Sequence, residues 1–396
     1  MGLTSAFPFQ LTEGLHSRFK PGLLNMITDV PGVRVAHVDI CAHLDEPNRA
    51  TLTGITAIIP GDGHSFRQKF PAGVHVINGF GKSTGLMQIA ELGTLETPIV
   101  LTNTLCVGAG FTGLARYMLE RTPEIGETTG TVNPIVLECN DSPISDLRSM
   151  AVQPEDVVRT VELAESIGSG MPFAEGSVGA GSGMTCYGLK GGIGSSSRIV
   201  EIGDLHYTIG CLVMTNFGSL CDLLLAGHAV GAAITQALSA NNEAVLHPFG
   251  NAAARDDCDR HQDRGSIIIV IATDAPLSDR QLTRVAKRAQ SGIARTGSYT
   301  GNGSGEICVA FSTTNRVPHE QPKRPFHIAA MPEPLMDTFF AAAVSSVEEA
   351  IVSSMEHAET TPARHGGMII GLRDALRYID MDYPYSSSGI NIRDNG

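Results

Sequence analysis

Arg264-Gly265-Ser266-Ile267-Ile268-Ile269-Val270-Ile271-Ala272 sets a Gly-Ser pair at the mouth of an unbroken apolar run. Isoleucine and valine carry two heavy atoms on Cβ and favour the pleated strand. A strand this uniformly apolar must be covered on both faces. Farther along, Gly301-Asn302-Gly303-Ser304-Gly305-Glu306 forms a glycine-rich turn with a second serine and, two residues on, a carboxylate. The strand Ile307-Cys308-Val309-Ala310-Phe311 follows directly. If the two pieces converge, the Gly265–Ser266 bond stands where a chain that cuts itself would place its scissile bond and its nucleophile.

A serine hydroxyl is a weak nucleophile until a base takes its proton. At a chain N-terminus the residue's own α-amine, with an unperturbed pKa of roughly 8, can serve as that base. Cleavage of Gly265–Ser266 by an N→O acyl shift would create that arrangement. Glycine before the bond tolerates strained backbone and leaves room for attack. Ser304 and Glu306 would then orient the nucleophile, carboxylate to hydroxyl to hydroxyl, as a third group orients the base of a triad. The one histidine near either motif is His261, five residues before Ser266 on the side that would be cut away. A Ser-His-Asp scheme has little local support. Taken alone, each motif is also an ordinary tight turn.

The rest of the chain reads as an α/β protein. Short β-like runs bounded by Gly, Pro or Asn recur at Gly54–Ile59, Gly73–Ile77, Pro98–Thr102 and Pro134–Glu138. Helical spacing follows Gln153-Pro154, where Val157, Val158, Val161, Leu163 and Ala164 fall on one side. It recurs from Leu220 to Leu238, and again after the capping box Ser278-Asp279-Arg280-Gln281, through Leu282, Val285, Ala286, Ala289 and Ile293. Later helices are expected over Leu335–His357 and near Leu372–Ile379. Ser239 to Arg264 is a polar connection, able to move away from the strand it precedes.

The 396 residues, 42% of them apolar, can bury a sizeable core in one domain. Net charge is 28 − 41 = −13 with no dense basic block, which argues against nucleic acid or an anionic membrane as partner. The N-terminus shows no signal peptide, and no apolar run reaches the roughly 18 residues of a spanning helix. Eight scattered cysteines without C-x-x-C suggest buried free thiols in a reducing compartment, so a cytoplasmic location is expected. His228, His247 and the other histidines lack metal-ligand spacing, and nothing calls for a cofactor.

Across nearly its whole length the chain resembles the self-processing serine aminopeptidases grouped with L-aminopeptidase D-amidase/D-esterase and the β-peptidyl aminopeptidases. The matching stretches are Ile27–Val35, Gly73–Lys82, Glu91–Leu105, Lys190–Arg198 and Gly265–Ile269. The resemblance implies a four-layer αββα sandwich like that of N-terminal-nucleophile (Ntn) hydrolases, with different strand connectivity. It implies one hydrolase domain over residues 1–396, cut into 1–265 and a segment of 396 − 265 = 131 residues, 266–396, that stay associated. A homo-oligomer, a tetramer of processed heterodimers, is expected. By motif match Ser266 is the nucleophile, Ser304 and Glu306 support it, and Asn216 is the side-chain donor of the oxyanion hole. Glu138 holds the free amine of a short peptide, amide or ester. Two residues on, where some members carry tyrosine, this chain has Asn140, which leaves substrate preference, and any role of that phenol in proton transfer, open.

Gly79-Phe80-Gly81-Lys82-Ser83-Thr84 looks like a phosphate loop, but the glycine it needs five residues before Gly81 is Val76. The loop is expected near the active site or at a helix start. Gly179-Ala180-Gly181-Ser182-Gly183 fits close packing better than dinucleotide binding. Three rival readings remain: an acyltransferase of related architecture, whose members use threonine as nucleophile; a nucleotide-binding regulatory protein built on Gly79–Thr84; and an unprocessed, inactive scaffold.

Overall fold

Ile267, Ile268, Ile269 and Ile271 are all sealed from solvent, and burying each side chain is worth about 1.5–3 kcal/mol. Two different surfaces cover them, and this fixes the layering. The computed structural model describes residues 18–43, 46, 49–240, 246–247, 250–253, 264–320, 323–364, 367–380 and 391–392. Its main strands are β1 (Arg34–Ala42), β2 (Thr51–Ile59), β3 (Gln68–Gly79), β4 (Ile99–Asn103), β5 (Ile135–Cys139), β6 (Ile193–Ile202), β7 (Leu205–Phe217), β8 (Arg264–Thr273), β9 (Gly303–Ser312) and β10 (Val317–Pro318). Its main helices are α1 (Leu86–Leu92), α2 (Val107–Arg121), α3 (Pro154–Ser166), α4 (Val230–Ala240), α5 (Asp279–Ala286), α6 (Ala289–Arg295) and α7 (Met336–Glu356).

One sheet has the order β1-β2-β4-β5, the other β10-β3-β9-β8-β7-β6. In the larger sheet β8 is antiparallel to β7 and parallel to β9, with α5 and α6 as the crossover that a parallel pair requires. In the smaller sheet β4 and β5 are parallel, joined through α2. Side chains alternate across a strand, so Ile267, Ile269 and Ile271 join one core with Leu282, Val285, Ile293, Phe339 and Val347 of the helices. Ile268 and Val270 join a second core with Leu101 and Leu137 of the facing sheet. Val100 and Val136 turn the other way, onto Leu114, Met118, Val157 and Val161 of α2 and α3. Helices, small sheet, large sheet, helices: this is the expected αββα sandwich.

Alternation also explains the serine run on β6. The Ser195 hydroxyl accepts from Ile27 N–H (2.8 Å), and that of Ser197 accepts from Gly22 N–H (2.9 Å), pinning the segment before β1. On the opposite face Ser196 donates to the Ser346 carbonyl (2.7 Å), and Arg198 pairs with Glu349 of α7, both fully buried.

Some sequence expectations need correction. The helix expected over Leu220–Leu238 begins only at Val230. Ala226 (φ 50°) and Gly227 (φ 82°) form a left-handed turn that an α-helix cannot contain. The pattern from Leu282 to Ile293 splits into α5 and α6. Leu163 of α3 is 43% exposed rather than packed. Cys106, Cys139, Cys211 and Cys308 are buried free thiols, but Cys41 is exposed and Cys221 is disulfide-bonded, against the expectation of buried free thiols. Most of the polar connection before β8, His261 included, lies outside the described residues. Among the described residues no helix is long and apolar enough to cross a membrane.

Candidate active site

The ladder register delivers the first two residues. Asn216 of β7 stands directly opposite Ser266 of β8, and Gly305 of β9 is the partner of Ser266 on the other side. Alternation from Ile268 points the Ser266 side chain into the space between the sheets. A Cβ placed on Gly305 would stand 3.0 Å from Ser266 Oγ, so glycine there leaves the hydroxyl room. Gly265 has φ 123°, and a Cβ on it would lie 2.0 Å from the Asn216 carbonyl oxygen. No other residue fits before the candidate scissile bond. Ser266 is 6% exposed.

Asn216 is 2% exposed. Its Oδ1 accepts from Thr185, from the backbone N–H at 3.2 Å and the hydroxyl at 3.4 Å. That fixes the amide orientation and leaves Nδ2 buried with no partner among the described residues. An unmatched buried donor costs about 1–3 kcal/mol, and this one stands across the ladder from Ser266. The segment carrying Thr185 is tied down by Lys190. Its ammonium donates to the carbonyls of Gly181 (3.2 Å), Met184 (2.8 Å) and Gly191 (2.6 Å). Complete burial lowers the Lys190 pKa to about 7.

Ser304 and Glu306 are fully buried and share one face of β9, as their spacing predicts. It is the face of Cys308 and Ala310, toward the helices. Alternation gives Ser266 the face between the sheets and this pair the face toward the helices. The Ser304 hydroxyl donates to the Gly301 carbonyl (2.8 Å). Asn78 Nδ2 donates to the Gly301 carbonyl (3.0 Å) and the Ser304 carbonyl (2.6 Å), closing the turn.

Glu138 comes from the small sheet, at the end of β5. Its Oε1 accepts from the Lys82 backbone N–H (2.8 Å), and its Oε2 accepts from the Thr104 hydroxyl. A Cβ on Gly81 would lie 3.5 Å from Glu138 Oε1 and 3.9 Å from Gly305 Cα. The Phe80 carbonyl oxygen would lie 2.8 Å from a Cβ on Gly305. Phe80-Gly81-Lys82 thus runs as a strip from beside Ser266 to Glu138, along the candidate site. Asn140 accepts from Ser142 N–H at 3.0 Å, an Asx turn. Next to it, burial raises the Asp141 carboxyl to about 7, against opposing hydrogen bonds from Thr53 and Asn103.

Sequence reasoning missed Thr104, Thr185, Lys190 and the Lys82 N–H as parts of this arrangement. Thr104, Lys82 and Lys190 lie inside the motif stretches, but nothing in those stretches marks which polar group reaches the site. Among the described residues no cluster of His, Cys, Asp and Glu could hold a metal ion.

The arrangement is that of an amide-cleaving serine enzyme, and the comparisons with known proteins agree. The model of Peptidase family S58 matches residues 25–369.

The chain belongs to peptidase family S58.

It is 37% identical over 359 residues to the β-peptidyl aminopeptidase BapA of Sphingosinicella xenopeptidilytica, covering 89% of this chain and 85% of that one. The solved PH0078 protein of Pyrococcus horikoshii OT3 is 46% identical with a TM-score of 0.79, over 91% of this chain and 95% of its own. The L-aminopeptidase D-Ala-esterase/amidase of Ochrobactrum anthropi, a prototype for the serine aminopeptidases with a variant of the Ntn-hydrolase fold, is 34% identical with a TM-score of 0.77. That match covers 92% of this chain and 96% of the other. The S58 protein described here is accordingly a hydrolase, an aminopeptidase on the Ntn-type fold. The acyltransferase and nucleotide-binding readings gain no support from these relatives.

Proposed function

We propose that this S58 aminopeptidase matures by cutting itself between Gly265 and Ser266, and then removes the N-terminal residue from short peptides, amides or esters through an acyl-enzyme on Ser266. The observation that carries the reading is the cross-strand pair Ser266–Asn216, with the Asn216 Nδ2 donor unmatched beside the nucleophile.

In the intact chain the nitrogen of Ser266 is an amide and cannot act as a base. Attack of its hydroxyl on the Gly265 carbonyl breaks the C–N bond, and the nitrogen leaves with a proton as the new α-amine. Water then hydrolyses the ester and frees the hydroxyl. In turnover that α-amine takes the Ser266 proton during attack and returns it to the leaving amine. Ser304 and Glu306, behind the strand end, support the charged α-amine rather than the hydroxyl. Asn216 Nδ2 holds the oxyanion, a contribution on the order of 3 kcal/mol. Glu138, held by Thr104 and the Lys82 N–H, binds the substrate's own amine, and this confines cleavage to N-terminal residues. Asn140 acts through the Asx turn after Glu138. The processed pieces stay joined, and association of such heterodimers into a tetramer is part of the reading.

Intact mass of fresh protein tests it, beside Ser266→Ala. Fragments ending at Gly265 and beginning at Ser266, absent from the variant, are expected. A variant that still turns over substrate overturns the assignment.

A further inference from the structure

The strip between nucleophile and carboxylate carries a group that the proposed mechanism does not use. Lys82 gives its backbone N–H to Glu138, but its side chain is exposed and turns back, with Nζ 4.7 Å from the centroid of the Phe80 ring. Phe80 is 63% exposed, and its backbone is fixed at the nucleophile end, with its N–H donating to the Ser304 carbonyl (3.2 Å). The ammonium therefore lies beside the exposed ring of the residue whose backbone meets Ser304 and Gly305. It pairs with no carboxylate among the described residues, in a chain of net charge −13.

A substrate with its amine at Glu138 and its carbonyl at Ser266 lies along this strip, so its leaving portion emerges beside Phe80. The two residues of an extended dipeptide span about 7 Å, and the far end bears a carboxylate. An ammonium at that end meets the carboxylate, while the Phe80 ring offers an apolar surface to the departing side chain.

Resting on the active-site reading above, we propose that Lys82 is a specificity residue that binds the free C-terminal carboxylate of very short peptides. The enzyme is then tuned to dipeptides, with the two substrate charges read at opposite ends of one three-residue strip. A C-terminal amide loses the second contact.

The test compares L-Ala-L-Leu with L-Ala-L-Leu amide on the processed enzyme and on Lys82→Met and Lys82→Arg. Expected is a fall of about three- to tenfold in the free-acid-to-amide ratio of kcat/KM in Lys82→Met, largely restored in Lys82→Arg. The wild-type ratio should also shrink between low and high salt, because an exposed pair is screened. If both substrates are cleaved and the ratio is the same in all three proteins, the role of Lys82 is overturned while the active site stands. If wild type cleaves neither, the active-site reading falls and this proposal with it.

Discussion

The two sheets supply the active site by different means. The large sheet places Ser266 and Asn216 through backbone register, with nine residue pairs between β7 and β8 fixing which side chains meet. The small sheet offers Glu138 from a strand end, where two hydrogen bonds, from Thr104 and from a loop N–H, set its position. On the function proposed above, chemistry rests on the ladder and recognition on the strand end. Within such a frame, substrate preference can change without disturbing the bond-breaking step.

That contrast predicts a graded set of effects. Ser266→Ala should leave a single uncut chain by intact mass and lower kcat by about 10,000-fold or more. Asn216→Ala should lower kcat by about 100- to 1,000-fold with KM little moved; a change confined to KM would break the division between the sheets. Glu138→Gln should act mainly on KM for substrates with a free amine, raising it about ten- to a hundredfold, the worth of a hydrogen bond to a charged group. Thr104→Val removes one support of that carboxylate and should raise the same KM about three- to tenfold, with kcat nearly held; an effect on kcat alone would count against an amine-binding role.

The last prediction concerns stability. Asp141 has its pKa raised from 3.8 to about 7 by burial. Between those values the folded chain binds a proton that the unfolded chain has released, so this contribution is complete below about pH 4 and is lost as pH rises through 7. In Asp141→Asn, urea midpoints measured from pH 4 to pH 8 should lose that decline. A variant with the wild-type slope would show that Asp141 ionises normally.

The sequence made the large sheet's share legible because burial on two faces writes an uninterrupted apolar run, and Ile267–Ala272 is one. The spacing of Ser304 and Glu306 correctly placed both on one face. Spacing within one strand says nothing about which face of its neighbour it joins, since only pairing register decides that. Alternation sets Ser266 on the face between the sheets and the Ser304–Glu306 pair on the face toward the helices, a division that spacing alone could not show. Helical spacing from Leu220 to Leu238 misled for another reason: Leu223 is fully buried, but from an irregular segment ended by a left-handed turn. Lys190 escaped notice because a lone lysine reads as surface, and only the carbonyls converging on it reveal a buried cation.

The strand order has a consequence for how the two pieces can be made. A cut at Gly265–Ser266 leaves β8 and β9 in the small piece, and both lie between β3 and β7 of the large one. The small piece is thus an inner plank of the sheet, flanked on both sides by strands of the other chain, with only the short edge strand β10 beyond. Parting them means unzipping the β7–β8 and β3–β9 ladders, with the short β3–β10 pair, and opening two of the three apolar cores. The small sheet is complete in the large fragment, but the large sheet is complete in neither. Separately expressed halves should fail to reconstitute enzyme, and the heterodimer would be obtainable only by folding first as one chain and being cut afterwards.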